Sequence, residues 1–375
     1  RIQLVWRGGL AGMALALAAM TRPEGVMFFG LIGLYRLGWI FVKKSRLTLL
    51  EYGCIFSFLL LYIPYFIWRY HYYGHIFPNT YYAKVGASGF WIPGIKYVGE
   101  WFIYHSWLLV GLGVHGVTCL KARNEEMRTF PTQVEQHIKW VALLCGGALC
   151  IHVARVGGDF MALHRFLVPL LPLGAVLCSG LFVHSYSKTK PSLGSDRWRM
   201  ILGLFMVVSL PILAVYVHHD SNRIGSRAGV DSIGWLRQFS QQCAETGRFI
   251  KQTTTSNVKL ATTAAGALPF YAERYTVDLL GLNDEWIAHQ VPAKGHRPGH
   301  TKSAPFRYPI DQGVDYLIYH PTFSRNQPKA SQRMSLALKG FGYHWESYRV
   351  PKLQPSWWGV WVKKSSSKNV SGPIE

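Results

Sequence analysis

Between Arg155 and Arg165 the chain reads Arg-Val-Gly-Gly-Asp-Phe-Met-Ala-Leu-His-Arg, setting a carboxylate, an imidazole and two guanidinium groups on one glycine-bent segment. Asp159 is the only acid between Glu135 and Asp196. Flanked by arginines, it is either half of a structural ion pair or part of a site. A carboxylate placed beside a hydroxyl orients it or takes its proton. A guanidinium matches two phosphate oxygens at once, which a lysine does not. A second segment, Thr21-Arg22-Pro23-Glu24-Gly25, joins two apolar stretches. Pro23 and Gly25 suit a tight turn, and Arg22 either solvates that turn with Glu24 or meets a phosphate at a membrane surface. A third, Pro78-Asn79-Thr80-Tyr81-Tyr82-Ala83-Lys84, follows the aromatic stretch Tyr70 to Phe77. Its aromatics serve as interface anchors or as a platform for a sugar. Asn79 and Lys84 point further, since a connection as long as 69–101 needs a reason to be ordered.

The elements that position these segments are apolar. The 375 residues have a mean hydropathy of +0.11, an average over two unlike parts. Candidate membrane spans fall at 8–20, 25–42, 52–68, 102–120, 138–153, 166–185 and 200–217. A crossing takes about 20 apolar residues, so the first is short. Lysine and arginine collect at Lys43, Lys44 and Arg46, at Lys121, Arg123 and Arg128, and at Lys188, Lys190, Arg197 and Arg199. Basic loops face the cytoplasm, which places the Thr21–Gly25 turn, 69–101, 154–165 and everything after about 218 on the opposite side. The expected organisation is a helical membrane region of about seven spans over 1–218, an extracytoplasmic α/β domain over 219–364 and a disordered tail over 365–375. The formal charge is +21, and Arg22, Arg69, Lys84, Arg155 and Arg165 fall on the outer face. A basic mouth at the lipid–water boundary favours an anionic headgroup such as a lipid-linked phosphate. Nucleic acid is disfavoured, because the basic residues are spread over loops without a binding motif.

The later part alternates helical and strand patterns. Asp231 to about Lys251 carries Ile233, Leu236, Phe239, Cys243 and Phe249 or Ile250 near one face, which predicts an amphipathic helix. Strands are predicted at Val258–Thr263, Tyr275–Leu280, Val314–Tyr319, Tyr343–Arg349 and Trp357–Val362, with a turn or short helix over Ala264–Tyr271. A glycine after the first strand and the Asp278-Leu-Leu-Gly-Leu-Asn-Asp284 turn after the second sit where α/β domains hold ligands. The glycine pattern is not that of a dinucleotide site. The histidines of 295–302 lack further ligands at metal-binding spacing, so that segment reads as a solvated loop. Six cysteines without regular spacing indicate neither a disulfide framework nor a zinc site.

Four motifs follow one another in an order that resembles one family: PNTYYAK at 78–84, GGDFMALHRFLVPLLP at 157–172, TAAGALPFYAERYTVDLLGLND at 263–284 and Gly299-His300-Thr301-Lys302, with TRPEG at 21–25 as a weaker mark. The chain resembles, over about 21–321, bacterial GT-C-type membrane glycosyltransferases typified by the actinobacterial terminal arabinofuranosyltransferase, to which flagellar motor control proteins of the ZomB type are similar. The resemblance implies an all-α transmembrane bundle and a small extracytoplasmic α/β domain in the bacterial inner membrane. It implies transfer of a sugar from a polyprenyl-phosphate donor to an acceptor glycan or lipid, with inversion. A phosphate leaving group calls for electrostatic stabilisation by arginine or lysine, and Arg165, Arg155, Lys84 and Arg22 are assigned to it. Asn79, Tyr82, His164, Asp278, Asn283 and Asp284 are assigned to sugar and acceptor. Asp159 orients the site or, as second choice, is the base. The family's main base lies in the first outer loop. The chain opens on Arg1, without methionine or a signal pattern, and is read as truncated, with that base upstream. No metal ligand is assigned, and a need for a divalent ion is left open. The rival reading is a membrane scaffold or regulator of the same architecture. A permease is weaker, because ionisable groups in mid-membrane mark transport paths and only Arg36 is clearly mid-span. On the leading reading, the segments bearing Lys84 and Asp159 meet the trailing domain around an anionic lipid head.

Overall fold

The computed structural model describes residues 2–84, 90–109, 113, 130–183, 193–227, 229–295, 297 and 300–366. Most of the candidate span 102–120, with Lys121, Arg123, Arg128, Lys188 and Lys190, lies outside the described residues. Packing divides the chain into two compact units that interleave in sequence. One comprises Arg1–Ile76, Trp91–Gly158 and His164–Tyr216, the other Phe77–Phe90, Asp159–Leu163 and Val217–Glu375.

The first unit is helical. Its leading helices are α1 (Ile2–Thr21), α2 (Glu24–Lys43) and α3 (Leu49–Tyr73). α1 starts earlier than the hydropathy pattern suggested, because Ile2, Leu4, Val5 and Trp6 extend its apolar surface past the single charge of Arg7. α3 begins in a capping box, in which the Thr48 hydroxyl accepts from the Glu51 N–H and the Glu51 carboxylate accepts from the Thr48 N–H. Arg36 does not stand alone in mid-helix. Its guanidinium pairs with Glu51 and donates to Ser45 Oγ at 3.1 Å and the Arg46 carbonyl at 3.0 Å, reaching the polar end of α2 along its own aliphatic stem.

Helices α1 and α3 pack through small residues. Gly8, Gly12, Ala16 and Ala19 are the buried positions of α1, a small-xxx-small stripe that lets backbones approach. Gly8 lies against Leu50, Gly12 against Cys54, and Ala16 and Ala19 cluster with Phe58. The pairs advance together along both helices, so α1 and α3 run parallel and α2 returns between them. A Cβ at Gly12 would fall 2.1 Å from the Cys54 carbonyl oxygen. Gly12→Val should therefore destabilise this unit by about 1–3 kcal/mol in thermal unfolding of the detergent-solubilised protein. Gly30→Val, where nothing lies within 4 Å, should lack the packing penalty.

Next come α4 (Asn79–Lys84), assigned to the second unit, and α5 (Trp91–Tyr104), α6 (Phe130–Val156), a 3-10 turn (Ala162–Leu167), α7 (Leu170–Val183) and α8 (Leu193–Asn222). The apolar stretch 166–185 is thus not one continuous helix. The 3-10 turn uses its first residues, and the α-helix starts at Leu170, between Pro169 and Pro172, where a missing N–H is tolerated in a first turn. The stretch 200–217 lies within the longer α8. Among the described residues, four helices are long and apolar enough to cross a membrane: Ile2–Thr21, Glu24–Lys43, Leu49–Tyr73 and Gln136–Val156.

A small mixed α/β region follows. A short hairpin, β1 (Ser226–Arg227) with β2 (Val230–Asp231), leads into α9 (Ile233–Thr253), which the Ser232 side chain caps by accepting from the Trp235 N–H. Then come β3 (Leu260–Thr262), α10 (Ala267–Ala272), β4 (Thr276–Asp278), α11 (Glu285–Gln290), α12 (Tyr308–Asp311), β5 (Tyr316–Tyr319), β6 (Phe323–Ser324), α13 (Gln332–Lys339), β7 (Tyr343–Arg349) and β8 (Trp357–Lys363). β4, β3 and β5 are parallel. β8 runs antiparallel to β5 and β6, and pairs with β7 along its whole length. Period-two alternation sorts the side chains. Leu260, Tyr316, Ile318, Val360 and Val362 pack with Cys243, Ile250 and Leu268 of α9 and α10. Ala261, Leu317 and Trp361 face the other way, with Leu338 of α13 and Tyr308 and Ile310 of α12. The result is a sheet between two helical layers.

Candidate functional site

In the helical unit, two of the assigned arginines share one ring. Arg22 stands in the turn after α1, whose geometry is fixed by the Arg22 N–H donating to the Ala18 carbonyl at 2.9 Å and the Gly25 N–H to the Arg22 carbonyl at 3.0 Å. Arg165 stands in the 3-10 turn. Each guanidinium carbon lies 5.7 Å from the Phe166 ring centroid. A single cation on a ring gains about 0.5–1 kcal/mol at an exposed site. Both guanidinium groups thus lie within cation–π range of the same ring. Arg165 is exposed and Arg22 half-buried, so both reach solvent. Arg155 is exposed in the last turn of α6.

His164, directly before Arg165, is 3 % exposed. Its ring lies 4.5 Å from that of Tyr97 and 6.2 Å from that of Tyr104, and its Nε2 lies 3.5 Å from Oε2 of Glu100. Glu100 has no place in the sequence-based site. A signal existed: it is the only acid between Glu51 and Glu125, as isolated in sequence as Asp159.

The second unit holds the remaining assigned residues, and the inter-span segments 77–90 and 159–163 pack in it with the α/β region. Asn79 Nδ2 donates to the carbonyls of Gly281 at 3.0 Å and Leu282 at 3.1 Å, clamping the turn that follows β4. The same turn is folded from within by Asp278. Its carboxylate accepts from the N–H groups of Leu280 at 3.0 Å and Asn283 at 2.9 Å. Burial pushes the Asp278 carboxyl up, and these backbone donors pull the other way. Asp284 caps α11 through the Ile287 N–H at 2.9 Å and accepts from the Tyr308 hydroxyl at 2.9 Å. Burial and that carboxylate push the Tyr308 phenol up to about 12. The Tyr82 ring lies 4.3 Å from that of His289, and Lys84 ends α4 half-buried. Asn79→Ala should remove both clamping hydrogen bonds and loosen the turn by about 1–3 kcal/mol, read as faster hydrogen exchange in 278–284 than in the β7–β8 ladder.

Asp159 is 5 % exposed, and its Oδ1 accepts from the Phe160 N–H at 3.0 Å. Phe160 fastens the segment. Its carbonyl accepts from the Asp231 N–H at 2.7 Å, and its ring meets His300 at 4.5 Å and the Arg297 guanidinium at 5.2 Å. Arg297 in turn pairs with the Asp231 carboxylate at 2.7 Å.

The stretch 295–302 therefore differs from the solvated loop expected of it. The buried Thr301 hydroxyl donates to the Ala83 carbonyl at 3.1 Å, and Lys302 Nζ donates to the Ala288 carbonyl at 2.5 Å. The cause is backbone satisfaction: Thr301 supplies a donor to the Ala83 carbonyl of the 77–90 segment, and Lys302 supplies one to the Ala288 carbonyl near the end of α11. Burial pushes the Lys302 ammonium down. Among the described residues, no group of three His, Cys, Asp or Glu side chains is arranged to hold a metal ion.

Residues 234–364 match the family model described as a domain of unknown function (DUF8728). The chain is also similar to the terminal beta-(1->2)-arabinofuranosyltransferase of Corynebacterium glutamicum, at 29% identity over 393 aligned positions. That likeness covers 89% of this chain and 56% of the relative, so the chain spans about half the length of the curated protein it matches. No solved structure matches the chain. The likeness is distant and supports a relation to glycosyltransferases.

Proposed function

We propose that the chain is a membrane glycosyltransferase of GT-C type that takes a sugar from a polyprenyl-phosphate carrier at the outer face of the bacterial inner membrane and passes it to an acceptor glycan or lipid. The observation that carries this reading is the pair of guanidinium groups on Phe166, in a unit containing helices fit to cross a bilayer. Donor phosphate carries one negative charge as a diester and gains a second when the sugar leaves. Two arginines stabilise that added charge more than they stabilise the bound donor, which lowers the barrier to transfer. Arg155, in the same unit, adds positive charge that attracts the same anion. The arabinofuranosyltransferase likeness supports the reaction class, and a pentofuranose is the first donor to try. The C-terminal α/β region, extracytoplasmic in this reading, binds the acceptor.

The rival reading, a scaffold of the same architecture, draws on one observation: Asn79, Asp278 and Asp284 use their side chains to hold a turn and a helix end. The two are separated by lipid analysis of cells lacking the protein. A transferase leaves its polyprenyl-phosphate sugar to accumulate, whereas loss of a scaffold leaves that pool unchanged.

A further inference from the structure

At the carboxyl ends of the parallel strands β3 and β5 stands a row of rings that the proposed donor site does not use. Phe239 of α9 stacks with Trp235, one helical turn earlier, at 4.8 Å with 9° between the planes, and with His320 at 5.3 Å and 8°. His320 directly follows β5, and its Nδ1 lies 3.3 Å from the hydroxyl of Thr263, which directly follows β3. Carboxyl ends of parallel strands are where α/β domains hold ligands. The backbone between them is strained. Tyr319 has φ of +53°, a conformation that is costly for a non-glycine residue and clusters at functional sites. Its carbonyl accepts from the Thr263 N–H and the Thr262 hydroxyl, each at 2.9 Å, which holds the turn. The surroundings are open: His320 is exposed, Trp235 and Thr263 are half-buried, and nothing lies within 4 Å of where a Cβ on Gly266 would stand.

The polar groups around the rings do not select an anion. Arg297 pairs with the Asp231 carboxylate at 2.7 Å, so its charge is matched, while its Nε is buried without a hydrogen-bond partner among the described residues. Both side chains act on His320. Burial pushes that imidazole down, Arg297 pushes it the same way, and Asp231 opposes them. The ring is therefore neutral at neutral pH, with one donor and one acceptor. A sugar ring brings an apolar face for aromatic side chains and hydroxyl groups for a few placed polar ones. A hydroxyl oxygen also relieves a buried donor that is otherwise left unfilled. We propose that Trp235, Phe239 and His320 form a binding platform for a neutral oligosaccharide, with the Arg297 Nε and the Thr263 hydroxyl available to its hydroxyl groups. Only the identity of that saccharide as the acceptor of the transfer rests on the glycosyltransferase reading. Contacts made here stay the same while the donor bond breaks, so they act on the acceptor KM and not on kcat.

The test is a saturation-transfer NMR titration of full-length protein in lipid nanodiscs, with an arabinofuranose hexasaccharide as probe. The wild type should bind it, and excess inorganic phosphate should not displace it. Trp235→Ala and His320→Ala should each weaken binding by about tenfold, and Trp235→Phe, which keeps a ring, should hold affinity within about threefold of the wild type. His320 is exposed, so His320→Ala should melt as the wild type does and decides the matter if Trp235→Ala does not fold. In a transfer assay His320→Ala should raise the acceptor KM by about tenfold, with kcat within about twofold. Wild-type affinity in both alanine variants, or no binding by the wild type, overturns the platform. Displacement by phosphate makes it an anion site and also overturns it. Binding that the variants weaken, in a protein that transfers no sugar to any acceptor, upholds the platform while the glycosyltransferase reading fails.

Discussion

Arg165→Ala is expected to abolish transfer from a polyprenyl-phosphate-linked sugar, lowering kcat/KM by about 100-fold or more, while the protein still inserts. The magnitude follows from removing one charged donor to a transition-state anion, which costs about 2.7–4 kcal/mol in water-excluded sites. The sign follows from geometry. Arg165 and Arg22 each lie 5.7 Å from the Phe166 centroid, so either arginine alone leaves the leaving phosphate half-neutralised. Arg22→Ala should act in the same direction, because its guanidinium lies at the same distance from the ring. The double variant should fall short of the product of the single effects, as expected of residues acting on one group. Arg165→Lys should rescue only part of the rate, since an ammonium restores the charge without the two-pronged geometry. The check is a transfer assay in proteoliposomes, and wild-type kcat/KM in Arg165→Ala would remove this residue from the site.

The second large effect is one of stability. Gly158 has φ of +78°, and a Cβ there would lie 2.5 Å from Cγ of Tyr97. Tyr97 is 4 % exposed and stands against the His164 ring. Gly158→Ala therefore meets both backbone strain, roughly 1–2 kcal/mol, and overpacking of a buried ring, about 1–3 kcal/mol. A destabilisation of about 2–5 kcal/mol is expected by thermal unfolding in detergent, with loss of transfer as Tyr97 displaces His164 and Arg165. Gly229→Ala isolates the strain term, having φ of +83° with nothing within 4 Å, and should lose about 1–2 kcal/mol. A Gly158→Ala variant as stable as Gly229→Ala would mean that Tyr97 yields freely and does not fix the turn before Arg165.

What the sequence made legible was what local spacing encodes. The apolar face of Ile233–Thr253 could be read almost to the residue because a helix face has a fixed period, and the strands Tyr343–Arg349 and Trp357–Lys363 because both are rich in aromatic or β-branched residues. Gln332–Lys339 was harder, since Met334 and Leu338 alone mark its buried side, and two residues do not define a period. The approach of α1 to α3 through Gly8 and Gly12 is a finding of the structure, and the sequence reading of 8–20 as a short apolar span did not contain it. Long-range pairs were not legible. Glu100 acquires meaning only when the fold brings His164 to 3.5 Å, and Phe160 only when Asp231, Arg297 and His300 close around it. Of the residues singled out for chemistry, Arg22 and Arg165 converge on one ring, while Asn79, Asp278 and Asp284 build the scaffold around their own turn. Composition ranks such residues alike, and only the direction of each side chain separates ligand contact from support.

The central claim is that a lipid-linked phosphate is held where Arg22 and Arg165 meet. The most direct measurement is photolabelling of the bilayer-embedded protein with a polyprenyl phosphate carrying a diazirine next to its headgroup, followed by peptide mapping. The predicted adducts fall in two peptides, one containing Arg22 and one containing the 3-10 turn Ala162–Leu167, which carries Arg165 and Phe166. Both adducts should be lost in the Arg22→Ala/Arg165→Ala double variant. Labelling that spreads evenly over the lipid-facing helices, or that survives the double substitution at wild-type yield, would contradict the account.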